Sequence, residues 1–398
     1  MVTLRFASRR TGKLRTGRFF VAVQVAFSFC LVMTASAFLF SLRNLTSVDT
    51  GFDRQNVVVL DIATEWGKKS PEVQRGLMDQ LQQQVAVRPG VESAAIASWA
   101  IFEGTGWTDQ VIVPGGAPSE REEIFYRISP GYFKTLRTPL LDGRDFELLD
   151  SRVAQPIPTI INLALARKYF GTDHAVGKEF QRPQEKNFIR HRVVGVAANA
   201  HYGELRKGVE PIAYVPLEGD TGFTLYVRSP INLGSVVRAV EREGQATGPL
   251  RVQEVTTLDS LVGNTILREK LLAGISGIFA LLGLVLAAVG MFGLLSYSVT
   301  RRTKEIGIRT AMGAQGRDII FLVVRELAAV VGGGLFAGLT GSLMMMAILQ
   351  SLLFGIRPSD PLVTGTAAAA FLVAVLVAGL LPARRAAAVD PMVALRHE

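Results

Sequence analysis

The chain has one cysteine and four histidines among its 398 residues, and that scarcity removes several chemistries at the outset. Cys30 lies inside an apolar run, so residues 43–268 hold no thiol and can form no disulfide. A segment of that length buries enough surface on folding to need none. His174, His191, His201 and His397 show neither HExxH nor Cys/His spacing, and without thiols beside them they make no zinc-ligand pattern. No phosphate-binding loop occurs either. The nearest string, Gly171 to Gly177-Lys178-Glu179, has five residues between the glycines where the loop needs four. It also has Glu where a Ser or Thr would hold Mg²⁺. No G-x-S-x-G turn is present to present a nucleophile. The expectation is a non-enzyme with no catalytic residue, no metal and no cofactor, and any ATP hydrolysis belongs to a separate subunit.

Charge is the next thing missing, in four long runs: Phe19–Leu42, Leu271–Thr300, Leu327–Ile356 and Pro361–Ala383. They are 23 to 30 residues long, and a membrane-spanning helix needs about 20. The first exceeds the roughly 7–15 apolar residues of a signal peptide, and no small-residue cleavage site stands clear of it, so it is expected to be retained. The mean hydropathy of +0.30 agrees with an integral membrane protein.

Basic residues set the orientation. Residues 1–18 carry six of them and no acid, and the loop at 301–318 and the tail are also Arg/Lys-rich. Residues 43–270 hold 27 basic and 28 acidic residues, so the formal charge of +9 sits almost wholly on the short flanks. Four spans put both termini on one side, which the charges make cytoplasmic, with residues 44–268 extracytoplasmic. The same distribution explains the pI near 9.8 without nucleic acid, and no nucleic-acid partner is expected. Within the runs almost nothing ionises; Arg325-Glu326 stands at the mouth of the third span. An ion-coupled carrier would need charge near the midplane.

The fold class that follows is an α-helical membrane protein with four transmembrane helices and an α+β extracytoplasmic domain between the first and second spans. Its expected parts are a basic cytoplasmic leader (1–18), a first span (19–42), an external domain (43–268) and a second membrane segment (269–398). The last contains spans at 271–300, 327–356 and 361–383 and a cytoplasmic loop at 301–318. Inside the external domain, Val57–Ile62 and Val91–Ala97 read as strands around a helix at Pro71–Val87, with Ser70 as cap, Pro71 at the first position and apolar Val73, Leu77, Leu81 and Val85. Phe223–Arg228, Leu233–Glu243 and Arg251–Val255 repeat that strand–helix–strand order. Two βαβ halves, about 55–97 and 222–256, therefore flank an inserted subdomain at about 100–221. The insertion carries strand candidates at Ile124–Ile128, Pro158–Ile161, Arg192–Ala197 and Ile212–Val215. Thr257–Lys270 reads as a helix continuing without a breaker into the second span, which either projects outward as a stalk or tilts.

Two membrane-side features stand out. In Arg301-Arg-Thr-Lys-Glu-Ile-Gly-Ile-Arg-Thr-Ala-Met-Gly-Ala314, Glu305 and Arg309 form an i, i+4 pair for a short helix. It is either a charged turn or a helix that docks on a cytoplasmic partner. In the third span, Gly334 and Gly338 form a GxxxG motif that lets backbones approach closely, between spans of one chain or between subunits. Pro358-Ser359-Asp360-Pro361 caps the fourth span, and Asp390-Pro391 starts a last short helix.

The string RRTKEIGIRTAMGA, with SLLFGIRPSDP before the fourth span and LPARRAAAVDPMVALR at the end, resembles the FtsX/MacB-like permease family of ABC transporters. The first span and Gly51-Phe52 are similar to the start of the same family, and the external domain resembles the MacB-type periplasmic core. The chain also resembles one half of a tandem-duplicated permease. The resemblance implies a bacterial inner-membrane protein that works as a homo- or heterodimer of permease subunits above a cytoplasmic ABC ATPase, with a periplasmic adaptor as a further partner. It implies that Glu305, Ile306, Gly307, Arg309, Met312 and Gly313 face the ATPase, and that the first and second spans carry its motion to the external domain. The rival reading is a sensor or scaffold whose external domain binds a ligand or regulates an envelope protein without transport. A membrane-anchored hydrolase would need its external histidines clustered in a cleft.

Overall fold

The computed structural model describes residues 3–387 apart from 66, 68, 104–105, 116–120, 185–186, 221, 231–232, 248–249, 302–307, 309–311, 313–315 and 358. The chain divides into two compact units, residues 48–266 and, from the two ends of the chain, residues 1–47 with 267–398.

The 48–266 unit is built on eleven strands of one sheet among the described residues. β1 (Val57–Thr64), α2 (Pro71–Ala86) and β2 (Ser93–Ala97) come first; α1 (Thr3–Thr46) belongs to the other unit. β10 (Gly222–Arg228), α5 (Leu233–Thr247) and β11 (Leu250–Thr257) come last. The two strand–helix–strand segments do not stand side by side. Their strands interleave in the order β11-β1-β10-β2, every neighbour antiparallel, with Leu60 opposite Leu225 and Tyr226 opposite Ala95. This is a split βαβ arrangement, in which each crossover leaves a gap that the other segment fills. Val58, Leu60, Ile62, Ile96, Leu225 and Val227 meet Met78, Leu81, Val85, Val236 and Val240 from the two helices in one core.

The helix at 71–86 differs in detail from its sequence reading. Its buried residues are Gln74, Met78, Leu81 and Val85, while Val73 is half exposed. An i, i+4 row drifts around the helix by roughly 40° per step, so a row that faces the core at Val85 has rotated out by Val73. Ser70 sits at the cap position but its side chain caps nothing; Pro71 alone sets the first turn.

Between β2 and β10 the chain adds β3 (Trp107–Asp109), β4 (Glu123–Ile128), α3 (Tyr132–Leu136), β5 (Leu140–Gly143), β6 (Ile157–Asn162), α4 (Leu163–Phe170), β7 (Glu179–Gln184), β8 (Asn187–Ala197) and β9 (Ile212–Pro216). These extend the same sheet in the order β2-β4-β9-β6-β8-β5. The join between β2 and β4 is a single register pair, Ala97 with Ile128. Asn162 starts α4 by accepting from Leu165 N at 2.9 Å, and it also accepts from Ile212 N at 3.0 Å and donates to Glu210 O at 2.7 Å.

β11 runs to Thr257, whose hydroxyl accepts from Ser260 N at 3.1 Å and starts α6 (Leu258–Thr265). The expected unbroken helix into the second span is not what forms. α6 ends at Ile266, outside the helical region at φ −107°, and a new helix begins at Leu267.

The second unit holds α1 (Thr3–Thr46), α7 (Leu267–Arg301), α8 (Gly316–Leu349) and α9 (Pro361–Ala387). Each is long and apolar enough to cross a membrane, through 16–46, 267–301, 328–352 and 361–378. The third stops earlier than its apolar run: α8 gives way to a 3₁₀ turn at Gln350–Leu352, and Gly355 takes φ +66°. Asp360 starts α9, its carboxylate accepting from Leu362 N at 2.9 Å.

Candidate functional site

The membrane unit is organised around α1. Small residues of α8 press against it: a Cβ on Gly334 would lie 2.6 Å from Val25 Cγ1 and 2.8 Å from Ala22 O, and one on Gly338 would lie 2.8 Å from Ala26 O. Cys30 Sγ donates to the Gly338 carbonyl at 3.2 Å. The GxxxG pair thus lies against another span of the same chain, the geometry that small residues four apart allow in lipid. Against α7, Ser28 Oγ of α1 donates to Gly283 O at 2.8 Å, and a Cβ on Gly290 would collide with Gln24 Oε1. Phe29 meets Phe371 of α9 edge to face at 5.7 Å. Near the other end of α1, Phe354 N donates to Ser41 Oγ at 2.8 Å and Asn44 Nδ2 to Gly355 O at 3.2 Å. One helix therefore touches all three others through residues that a hydropathy reading treats as filler. Ser28, Gln24 and Gly283 were missed from sequence because their only signal is small size or weak polarity within a span.

The loop at 301–318 gives less. Glu305, Ile306, Gly307, Arg309 and Gly313 lie outside the described residues. Met312 is 80% exposed and Ile308 51%, and Met312 N donates to Ile308 O at 3.0 Å, one helical turn.

In the 48–266 unit, a polar tie holds the entrance to the sheet. Arg228 is buried; its Nε donates to Thr135 O at 2.7 Å and its Nη groups to Gln55 O, Asp53 O and the Asp53 carboxylate. Arg137 joins Asp53 at 2.8 Å and Glu92 at 3.0 Å. Burial pushes the Asp53 carboxyl up, but the Gln55 N–H and the two arginines outweigh it and hold the group below its ordinary 3.8. Among the described residues, the histidines of this unit do not assemble a site. His191 is buried in β8, His174 is exposed and bonded to Asp142 at 3.1 Å, and His201 is half-buried in a loop. Among the described residues no group of three His, Cys, Asp or Glu side chains is placed to hold a metal.

The comparisons with known proteins fit both units. The model of the MacB-like periplasmic core domain matches residues 22–243, more than half of the chain, and that of the FtsX-like permease C-terminal region matches 277–391. The chain belongs to the MacB-like permease family. It is 29% identical over 300 residues to the macrolide export ATP-binding/permease protein MacB of Rhodospirillum rubrum, covering 71% of this chain and 45% of that one. It is 26% identical to the protein of the same name from Chromobacterium violaceum, covering 78% of this chain and 50% of that one. The chain thus spans about half the length of these curated relatives. Against the crystal structure of the periplasmic region of MacB from Actinobacillus actinomycetemcomitans the TM-score is 0.37 at 12% identity, covering 56% of this chain and 97% of that one. Fold class and family are those of a membrane-embedded ABC transporter permease.

Proposed function

We propose that the protein is a permease subunit that transmits ATPase-driven movement from the cytoplasm to its extracytoplasmic domain, in efflux or in mechanical signalling across the membrane. The observation that carries the reading is the position of α1. It leads directly into residues 48–266, and inside the bilayer it is gripped by α7, α8 and α9 through glycine contacts and the Ser28 and Cys30 hydrogen bonds. A displacement of the 301–318 loop between α7 and α8 has a tight path into α1, because closely packed helices shift together rather than deform. On this reading the loop faces a cytoplasmic ABC ATPase through Glu305, Ile306, Gly307, Arg309, Met312 and Gly313. Two permease subunits pair above the ATPase, and a periplasmic adaptor completes an efflux assembly. The protein sits in a bacterial inner membrane with both termini in the cytoplasm. The relatives' names supply macrolide export as the substrate class to test first.

Reversing the loop's charge pair tests the reading. In a reconstituted complex with its ATPase, Glu305→Lys combined with Arg309→Glu is expected to abolish permease-stimulated ATP turnover while leaving membrane insertion intact. Unchanged stimulation and unchanged co-purification of the ATPase in that variant would remove the coupling role.

A further inference from the structure

α1 and α7 pack as an antiparallel pair that is pinched at one level and open at another. Ser28 bonds to the Gly283 carbonyl, and one turn nearer the start of α1 Gln24 presses on Gly290. Both glycines are filled from across the interface: a Cβ on Gly283 would lie 3.0 Å from Leu31 Cδ1, and one on Gly290 would collide with Gln24. Gly17 and Gly293, farther toward the same end of the pair, would meet nothing within 4 Å of a Cβ. These two glycines serve no close approach, and the space beside them is a groove of about 610 Å³. Val21 and Leu294 sit low in it, while Phe20, Val289 and Tyr297 stand exposed on its rims.

The groove has a definite extent along the bilayer normal. Its α7 residues run from Val289 to Tyr297, a rise of about 12 Å, close to the roughly 15 Å of hydrocarbon in one leaflet. Gly290, Gly293 and Tyr297 lie on one face of α7 at i, i+3 and i+7. Arg301, four residues past Tyr297, is the next position on that face; it is exposed and pairs with no carboxylate among the described residues. The apolar groove therefore ends on a cation at the depth of lipid headgroups. On the α1 side, residues 1–18, which lead into the groove, carry six basic residues and no acid.

That charge selects the occupant. A second copy seated here in a two-fold contact would lie groove on groove and set Arg301 and the basic leader of each copy against those of the other. Like charges face to face oppose such a contact. A zwitterionic lipid would fill the groove but gain little from Arg301, because its headgroup carries its own cation. An anionic phospholipid meets both demands, with an apolar chain for the groove and a phosphate for the guanidinium.

We propose that the α1–α7 groove is a binding site for an anionic phospholipid of the leaflet on the N-terminal side, one acyl chain lying along Gly17 and Gly293 and the phosphate on Arg301. The chain has tryptophan only at positions 66, 99 and 107, so Tyr297→Trp places a new reporter on the groove's rim. Full-length variant and parent are reconstituted in vesicles of equal parts phosphatidylglycerol and phosphatidylcholine, with one lipid or the other brominated on its acyl chains. Quenching of the variant in excess of the parent reports on position 297. Brominated phosphatidylglycerol is expected to quench more strongly, with a preference of about fivefold, roughly what one interfacial arginine contributes. Arg301→Gln should remove the preference. Gly293→Leu, which fills open space and breaks no helix contact, should remove it too. Phe336→Trp is the control: position 336 is 75% exposed on α8, and the two lipids should quench it equally. Equal quenching at position 297 overturns the proposal, and so does the same preference at 336, which would mark a diffuse charge effect. Quenching by neither lipid also overturns it and would put a protein helix, such as a second copy's, in the groove. No ATPase enters the assay, so failure here leaves the coupling reading standing.

Discussion

Arg228 and His191 are both buried in the sheet, and they respond to opposite problems. A guanidinium with 1% exposure is tolerable because its donors meet Thr135 O, Gln55 O, Asp53 O and the Asp53 carboxylate. Arg228→Ala leaves the three carbonyls without their donors, while Asp53, half-buried, keeps Arg137. We expect a loss of about 2–5 kcal/mol in chemical unfolding of the protein, mainly from the unsatisfied carbonyls, with Arg228→Lys recovering only part because an ammonium cannot reproduce the planar fork. His191 is instead kept neutral: burial first, and then the Arg182 charge, push it down from 6.5 to about 3. The unfolded chain therefore takes up a proton near pH 6.5 that the native protein refuses until about pH 3. Stability is full above pH 6.5 and is lost as pH falls between those values, at a slope approaching ~1.4 kcal/mol per pH unit. Asp53 and Asp150, held low, the latter mainly by its hydrogen bonds from Arg144, add their loss only below about 3.8. Melting curves from pH 7 to 4 should show the decline in wild-type protein and a flatter profile in His191→Phe. An identical decline in both would assign the acid sensitivity elsewhere.

Among the elements, the glycine face of α8 is where packing meets the proposed coupling path. A side chain at 334 has backbone and Val25 within 2.8 Å of its first carbon, so the helices must separate to admit it. Gly334→Leu is expected to destabilise the membrane unit by about 1–3 kcal/mol, the usual cost of overpacking. It should also reduce permease-stimulated ATP turnover without altering residues 48–266. Thermal unfolding and ATPase assays on one preparation separate the two effects; unchanged values in both would mean that α1 and α8 do not need this close contact. The sequence reading of elements was uneven for identifiable reasons. Apolar runs, Pro71 and the Asp360-Pro361 cap are local signals, and they marked the spans and helix starts well. The break at Ile266 follows Gly263-Asn264-Thr265, a run of poor helix formers whose weak signal is easily passed over beside an apolar span. Short pieces such as β3, β5 and α3, each of three to five residues, are too brief for a periodic pattern.

For the whole molecule, the reading of function depends on which residues face which compartment. Val87 in the 48–266 unit is 82% exposed and Met312 in the loop 80%, and they are the natural reporters. In a Cys30→Ser background, where the hydroxyl can keep the bond to Gly338, an impermeant maleimide added to intact spheroplasts should label Val87→Cys. It should label Met312→Cys only after the membrane is broken. Labelling of both from the outside would abolish the proposed coupling geometry.

Amino-acid order alone determined that this chain crosses a membrane several times and carries its charge on the short flanks, because transfer of apolar and charged groups into lipid is a property of each residue. It also exposed the α+β character of residues 43–268 and the family motif around 301–314. Only the tertiary structure decided that the two outer strand–helix–strand segments interleave, that α1 is the helix the other spans grip, and that α1 and α7 leave a groove between them. Those facts are pairings between residues far apart in the chain. Sheet register, close helix approach and the matching of buried donors to acceptors exist only once distant segments have met.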